Sequence, residues 1–153
     1  MPEEKVNILL VDDDPRKLLA LESVLASLNQ NLVRARSGEE ALRSLLHQDF
    51  AVILLDVRMP GMDGWETAAL IRQRERSART LIIFVTSAYR EDVHALKGYS
   101  AGAVDYITTP IVPKILKAKV AVFVELYGKT LEVERQAEQL RGLHQEMESF
   151  SYS

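Results

Sequence analysis

The sequence has no cysteine, a single tryptophan, and aromatics at only 7% of its 153 residues. The missing cysteine removes disulfides, thiolate metal sites and a cysteine nucleophile, and it fits a reducing compartment. Neither sign of charge is in excess, since 19 Lys+Arg against 22 Asp+Glu give a formal net charge of -3. A generic nucleic-acid binder normally carries a clear basic surplus. Nothing after residue 125 shows a helix-turn-helix or a basic stripe, so no nucleic-acid partner is expected. No apolar run approaches the ~20 residues of a membrane span. The polar, acidic start from Met1 to Lys5 lacks the charged and apolar regions of a signal peptide. What remains, 47% hydrophobic and 27% charged, is ordinary for one soluble domain with a possible appendage.

Five short apolar runs give the chain its rhythm: Val6–Val11, Leu32–Ala35, Ala51–Leu55, Leu81–Val85 and Ala103–Ile107. Each reads as a strand, and helical spacing lies between them. Leu18, Leu21, Leu25 and Leu28 share one helical face, with Pro15 suited to the first turn and Asp14 to the N-cap. Ser37 and Glu40 have the form of a capping box, with Ala41, Leu42, Leu45 and Leu46 lining the helix that follows. Trp65, Ala68, Ala69 and Ile71 mark another helix, and residues 91–100 suit a short one. Continuous apolar strands alternating with helices imply a parallel sheet covered on both faces.

In such sheets ligands bind outside the carboxyl ends of the strands. Those ends are Asp12-Asp13-Asp14, Asp56, Thr86-Ser87 and Thr109. Single aspartates after strands are commonly helix N-caps. Several in one cleft repel each other unless a cation or a proton relieves them. Oxygen-only ligands favour a hard ion such as Mg²⁺, and a carboxylate is a known nucleophile towards phosphoryl groups.

The stretches Ile8-Leu9-Leu10-Val11-Asp12-Asp13-Asp14-Pro15, Leu54-Leu55-Asp56-Val57-Arg58-Met59-Pro60-Gly61-Met62-Asp63-Gly64, Val85-Thr86-Ser87-Ala88 and Gly102-Ala103-Val104-Asp105-Tyr106-Ile107-Thr108-Thr109-Pro110 together resemble a response-regulator receiver domain from residue 5 to about 125. The resemblance implies a flavodoxin-like, doubly wound α/β fold with a five-stranded parallel sheet of order 2-1-3-4-5. It makes Asp56 the phosphoacceptor, attacking a phosphohistidine of a histidine kinase or phosphotransfer domain, so that the domain catalyses its own phosphorylation. Asp12, Asp13, Asp56 and the backbone carbonyl of Arg58 would hold Mg²⁺. Thr86 would turn its hydroxyl to the acyl phosphate, and Tyr106 would swing inward as Thr86 moves. A cytoplasmic location is expected.

One position departs from the family, which has a lysine where this chain has Thr109. A lysine there would pair with phosphate as a point charge. Loss of one charge-assisted contact costs roughly 1.5–3 kcal/mol, with Arg58, Lys114 or a partner as candidate replacements. Thr109 therefore keeps open a second expectation, a receiver that works only by protein contact, distinguishable by the absence of Mg²⁺-dependent quenching of Trp65. A phosphatase or mutase using an aspartyl-phosphate would need a cap insertion, and the connections here are short.

From about Leu126 the chain turns Glu/Gln/Arg-rich. Residues 112–150 read as one helix of ~58 Å, longer than the domain can cover. Leu126, Val133, Leu140 and Met147 recur every seven residues, while only half of the second row (Lys129, Gln136, Leu143, Phe150) is apolar. This predicts an imperfect coiled coil and a homodimer. The ending Met147–Ser153 resembles the run before the phosphorylatable histidine of dimeric sensor kinases. The expected organisation is thus a receiver over 1–125 and a helical linker over 126–153, leading in a longer parent to a histidine-kinase core.

Overall fold

A computed structural model describes residues 4–87 and 104–151, without the side chains of Val104 and the last three helical residues. The short helix expected over 91–100 lies outside these residues. Within them the order is β1 (Asn7–Val11), α1 (Pro15–Leu25), β2 (Asn31–Ala35), α2 (Gly38–His47), β3 (Val52–Asp56), α3 (Gly64–Gln73), β4 (Leu81–Ser87), β5 (Val104–Thr109) and a final helix, α4 (Pro113–Ser151). All strand pairs are parallel and the sheet order is β2-β1-β3-β4-β5, as expected.

The strands are uninterrupted apolar runs because both faces of the sheet are covered. Successive side chains point to opposite faces. Leu9, Val11, Ile53, Leu55, Ile82 and Phe84 pack with Ala41, Leu42 and Leu45 of α2 and Ala68 and Ile71 of α3. Their neighbours in sequence, Ile8, Leu10, Val52, Leu54, Ile83 and Val85, pack with Leu18, Leu21 and Leu25 of α1 and Leu116 and Val120 of α4. One strand thus feeds two cores, and β3 is buried at every position.

The helix starts follow their caps. Asp14 accepts from the Arg16 N–H and Ser37 from the Glu40 N–H. Three boundaries differ from the apolar pattern. Leu28 belongs to a 3₁₀ turn, Ala26–Leu28, ended by Asn29 at a left-handed φ of 57°. Asparagine tolerates that conformation better than most residues. The strands β4 and β5 run on through Thr86-Ser87 and Thr108-Thr109, which pair with each other, because ladder bonds continue past the last apolar side chain. Residue 31 starts β2 one position early, its N–H donating to the Val6 carbonyl.

The last helix has 39 residues, about 58 Å at 1.5 Å per residue. Its first two turns carry Leu116 and Val120 into the core, and Lys119 ties it to β5 through Asp105 at 2.6 Å. Beyond Leu126 nearly every residue is exposed.

Candidate phosphoacceptor pocket

The register of the sheet assembles the site. Val11 of β1 pairs with Leu55 of β3, so the residues that follow them, Asp12 and Asp56, lie side by side at the carboxyl edge. Asp13 joins them: one carboxylate oxygen from each of the three lies within 4.8 Å of the others. Asp12 and Asp56 are buried and Asp13 is exposed. The cluster therefore reaches solvent through Asp13.

The surrounding backbone holds the two buried carboxylates. Asp12 accepts from the Asp14 N–H at 2.9 Å, and Asp56 accepts from the Arg58 N–H at 3.3 Å. The loop after β3 folds back so tightly that the Gly64 N–H reaches the Val57 carbonyl at 2.8 Å. A Cβ on Gly64 would stand 2.3 Å from the Asp56 carbonyl oxygen, so only glycine fits. Asp63 then caps α3 through the Glu66 N–H at 2.8 Å. The Asp63-Gly64 pair is what locks the phosphoacceptor strand to its helix.

The electrostatics are those of a pocket awaiting a cation. Burial, reinforced by the neighbouring Asp12 and Asp13 charges, pushes the Asp56 carboxyl up to about 6, against the Arg58 N–H and the Lys17 ammonium, which favour the charged form. Burial also raises Asp12. At neutral pH Asp56 is still mostly ionised, so like charges stand together at a cost that a divalent ion would relieve. Three carboxylates with no nitrogen or sulfur donor among them match Mg²⁺, which prefers oxygen ligands and keeps several waters.

Lys17, in the first turn of α1, went unnoticed in sequence because it lies in no apolar pattern. Its charge nevertheless acts on both Asp12 and Asp56. The signal available was its place, four residues after the acidic pair at the entrance of α1.

The other expected residues lie along the same edge. Thr86, buried, follows Val85, which pairs with Asp56; its hydroxyl donates to the Ser87 carbonyl at 3.3 Å. Thr109 pairs with Ser87 and is exposed. Tyr106 pairs with Phe84 and stands 44% exposed. Trp65 packs against Phe84, ring centroids 4.5 Å apart, at the start of α3 just after the β3–α3 loop. Leu126, Val133, Leu140 and Met147 lie far along α4, all exposed. Among the described residues no helix is long and apolar enough to cross a membrane.

The family profile of the response regulator receiver domain matches residues 8–121. Among curated relatives, the transcriptional regulatory protein AfsQ1 of Streptomyces coelicolor is 33% identical over 114 residues, 74% of this chain and 49% of that protein. Sensor protein GacS of Pseudomonas syringae pv. syringae is 31% identical over 135 residues, 87% of this chain but 15% of that protein. This chain therefore spans half or less of these relatives. Among solved structures, the receiver domain of a sensor histidine kinase from Pseudomonas aeruginosa PAO1, with a magnesium ion coordinated in its active-site cleft, superposes with a TM-score of 0.72 at 31% identity. The overlap takes in 80% of this chain and 99% of that one. Sheet order, acidic pocket and sequence likeness converge from independent directions, and the chain belongs to the response regulator receiver domain family, a phosphoacceptor of two-component signalling.

Proposed function

We propose that Asp56 takes a phosphoryl group from the phosphohistidine of a histidine kinase or phosphotransfer domain, and that the long helix α4 carries the change to a partner chain and to a downstream unit. The observation that carries this reading is the pocket itself, with three carboxylates from β1 and β3 within 4.8 Å of one another. An Asp56 oxygen attacks phosphorus, the P–N bond breaks, and its electron pair returns to the imidazole nitrogen. The product is an acyl phosphate at the end of β3. Asp12, Asp13, Asp56 and the Arg58 carbonyl would hold Mg²⁺, which when bound would offset the charge of the phosphoryl oxygens.

Thr86 follows Val85, which pairs with Asp56, and would turn its hydroxyl from the Ser87 carbonyl to the new phosphate. Tyr106, now outward, would fill the space that Thr86 leaves. Thr109 is exposed and neutral, so it offers a hydroxyl in place of the family lysine, while the Lys17 ammonium favours the charged form of Asp56.

The receiver extends over 1–125 and the linker over 126–153. The exposed heptad row of α4 favours a homodimer, and the likeness to sensor proteins favours a cytoplasmic hybrid histidine kinase as the longer parent. Equilibrium sedimentation of the chain, with and without a small phosphodonor and Mg²⁺, tests this. Self-association that shifts on phosphorylation is expected. A monomer at high concentration in both states would remove the relay through paired helices and leave the phosphoacceptor intact.

A further inference from the structure

We infer that Lys17, from the first turn of α1, supplies the phosphoryl group on Asp56 with the positive charge that Thr109 cannot, which makes it a further residue of the phosphoacceptor site; this rests on Asp56 being the phosphoacceptor.

The pocket needs such a charge. Asp12, Asp13 and Asp56 with one divalent ion leave one negative charge uncompensated. An acyl phosphate on Asp56 carries about two negative charges where the carboxylate carried one, so the surplus grows as the phosphoryl group arrives. Offsetting charge on the phosphoryl oxygens, together with positioning, is nearly all that a protein contributes to this transfer. At the end of β5, Thr109 pairs with Ser87 and brings no charge.

The fold brings Lys17 to the same edge from the other side of β3. Only Asp12, Asp13 and Asp14 separate the end of β1 from Pro15, the first residue of α1, so the first turn of that helix starts at the acidic cluster. Side chains of a helix lean towards its N-terminus, which for Lys17 is towards the carboxylates. Leu18 beside it is buried in the core, and that burial fixes how the turn is rotated. The placement is felt electrostatically, because the Lys17 ammonium favours the charged forms of both Asp12 and Asp56, at the ends of two different strands.

Lys17 is also uncommitted. Its neighbour Arg16 is held by Asp14 at 3.4 Å, whereas Lys17 makes no ion pair among the described residues and is exposed. A lysine stem is long and flexible and carries three donors at its tip, so the ammonium can fold onto phosphoryl oxygens once they stand at Asp56. The replacements considered from sequence are placed differently. Arg58 serves Asp56 through its backbone N–H, and Lys114 opens α4 beyond the end of β5.

Beryllofluoride, an inert stand-in for the phosphoryl group, separates the anion from the metal in the test. Titrated into the full chain at saturating Mg²⁺ and read by fluorine NMR, it is expected to bind Lys17→Gln roughly five- to tenfold more weakly than the unmodified chain. Mg²⁺ alone, read by calorimetry, should bind Lys17→Gln no more weakly, because a neighbouring cation repels the metal while it attracts the anion. Lys17→Arg keeps the charge and should keep the anion affinity, and Thr109→Lys added to Lys17→Gln should return it. Arg16→Gln and Lys114→Gln remove the same charge elsewhere and should leave both affinities unchanged. Equal weakening of metal and anion in Lys17→Gln would reduce Lys17 to a support of the pocket's shape and overturn the assignment. So would anion binding that Lys17→Gln leaves intact and Lys114→Gln removes. An unmodified chain that binds Mg²⁺ but takes neither beryllofluoride nor phosphate at Asp56 would overturn the phosphoacceptor reading itself, and the role of Lys17 with it.

Discussion

The carboxyl edge of the sheet and the outer half of α4 are both rich in acidic residues, yet they are built in opposite ways. At the edge, Asp12, Asp13 and Asp56 come from points more than forty residues apart and are fixed by ladder register, a folded-back loop and a glycine with no space above it. In the outer helix the ion pairs are local: Glu125–Lys129, Glu132–Arg135 and Glu138–Arg141 are all three or four residues apart. Such exposed pairs contribute only about 0.3–0.5 kcal/mol each. Like charges held by a sheet against their repulsion make a reactive pocket. Unlike charges paired along a helix gather no reactive cluster and leave its apolar line exposed.

The largest effect that would break this contrast is chemical. Asp56→Asn should abolish the acid-labile phosphate gained with Mg²⁺ and a small phosphodonor, as read by intact mass. The many glutamates of α4, unburied and without a clustered cation site among the described residues, should take none. A phosphate surviving Asp56→Asn would mean that the pocket is not where phosphoryl transfer happens.

Next comes pH. Asp56 has a folded-state value of about 6 against an ordinary 3.8, so the folded chain holds a proton that the unfolded chain gives up. The stability this contributes is fully present below about 3.8 and is lost as pH rises through 6. Asp12 shifts in the same direction. With metal chelated, urea unfolding should show stability falling between pH 5 and 8 by about 1 kcal/mol through Asp56, the earlier part of the loss lying between pH 3.8 and 5. The pairs made by Asp14 and Glu22 titrate below this window, because their partners Arg16 and Arg34 hold both under the usual carboxylate range. Mg²⁺ should restore the loss at pH 8, and Asp56→Asn should flatten the profile. A flat profile in the unmodified chain would mean that water relieves the pocket as well as an ion does.

Much of this was legible in sequence. Strand ends are marked by the switch from apolar runs to Asp or Thr, and the sheet type then places those ends together. Asp14 and Ser37 cap helices because their local sequence is sufficient to decide it. What was hidden depends on contacts made elsewhere. Lys17 matters through its field on residues of two strands. The 3₁₀ turn at Leu28 keeps helical apolar spacing while the chain is already turning at Asn29. The extra paired residues of β4 and β5 are polar, so the apolar pattern stops before the ladder does. The helix, by contrast, was readable to within a residue of each end (112–150 expected, Pro113–Ser151 found), because almost all of its determinants are local.

Gly64 sharpens the contrast from the side of the pocket. A methyl group there would meet the Asp56 carbonyl oxygen at 2.3 Å and the Val57 Cα at 2.7 Å, both backbone atoms that cannot rotate away. Gly64→Ala should cost about 1–3 kcal/mol, as overpacking does, and should weaken Mg²⁺ binding in a calorimetric titration because Asp56 moves with its carbonyl. An unchanged titration would show that the loop is free to shift without the carboxylate.

The same substitution in the outer helix should have the opposite sign. At Gly142 a Cβ meets nothing within 4 Å, and the residue lies in the interior of α4, where glycine disfavours helix by roughly 1 kcal/mol relative to alanine. Gly142→Ala should therefore raise the helical signal in circular dichroism and make the outer helix fray at a higher temperature, with Mg²⁺ binding and Asp56 phosphorylation unmoved. It should also strengthen the proposed self-association slightly, since Gly142 lies between the heptad-row residues Leu140 and Leu143 without belonging to either row, and a helix that is already formed loses less entropy on pairing. If Gly142→Ala instead weakened pairing, the glycine would be admitting close approach by the partner, and the proposed pairing face would have to be rotated towards it.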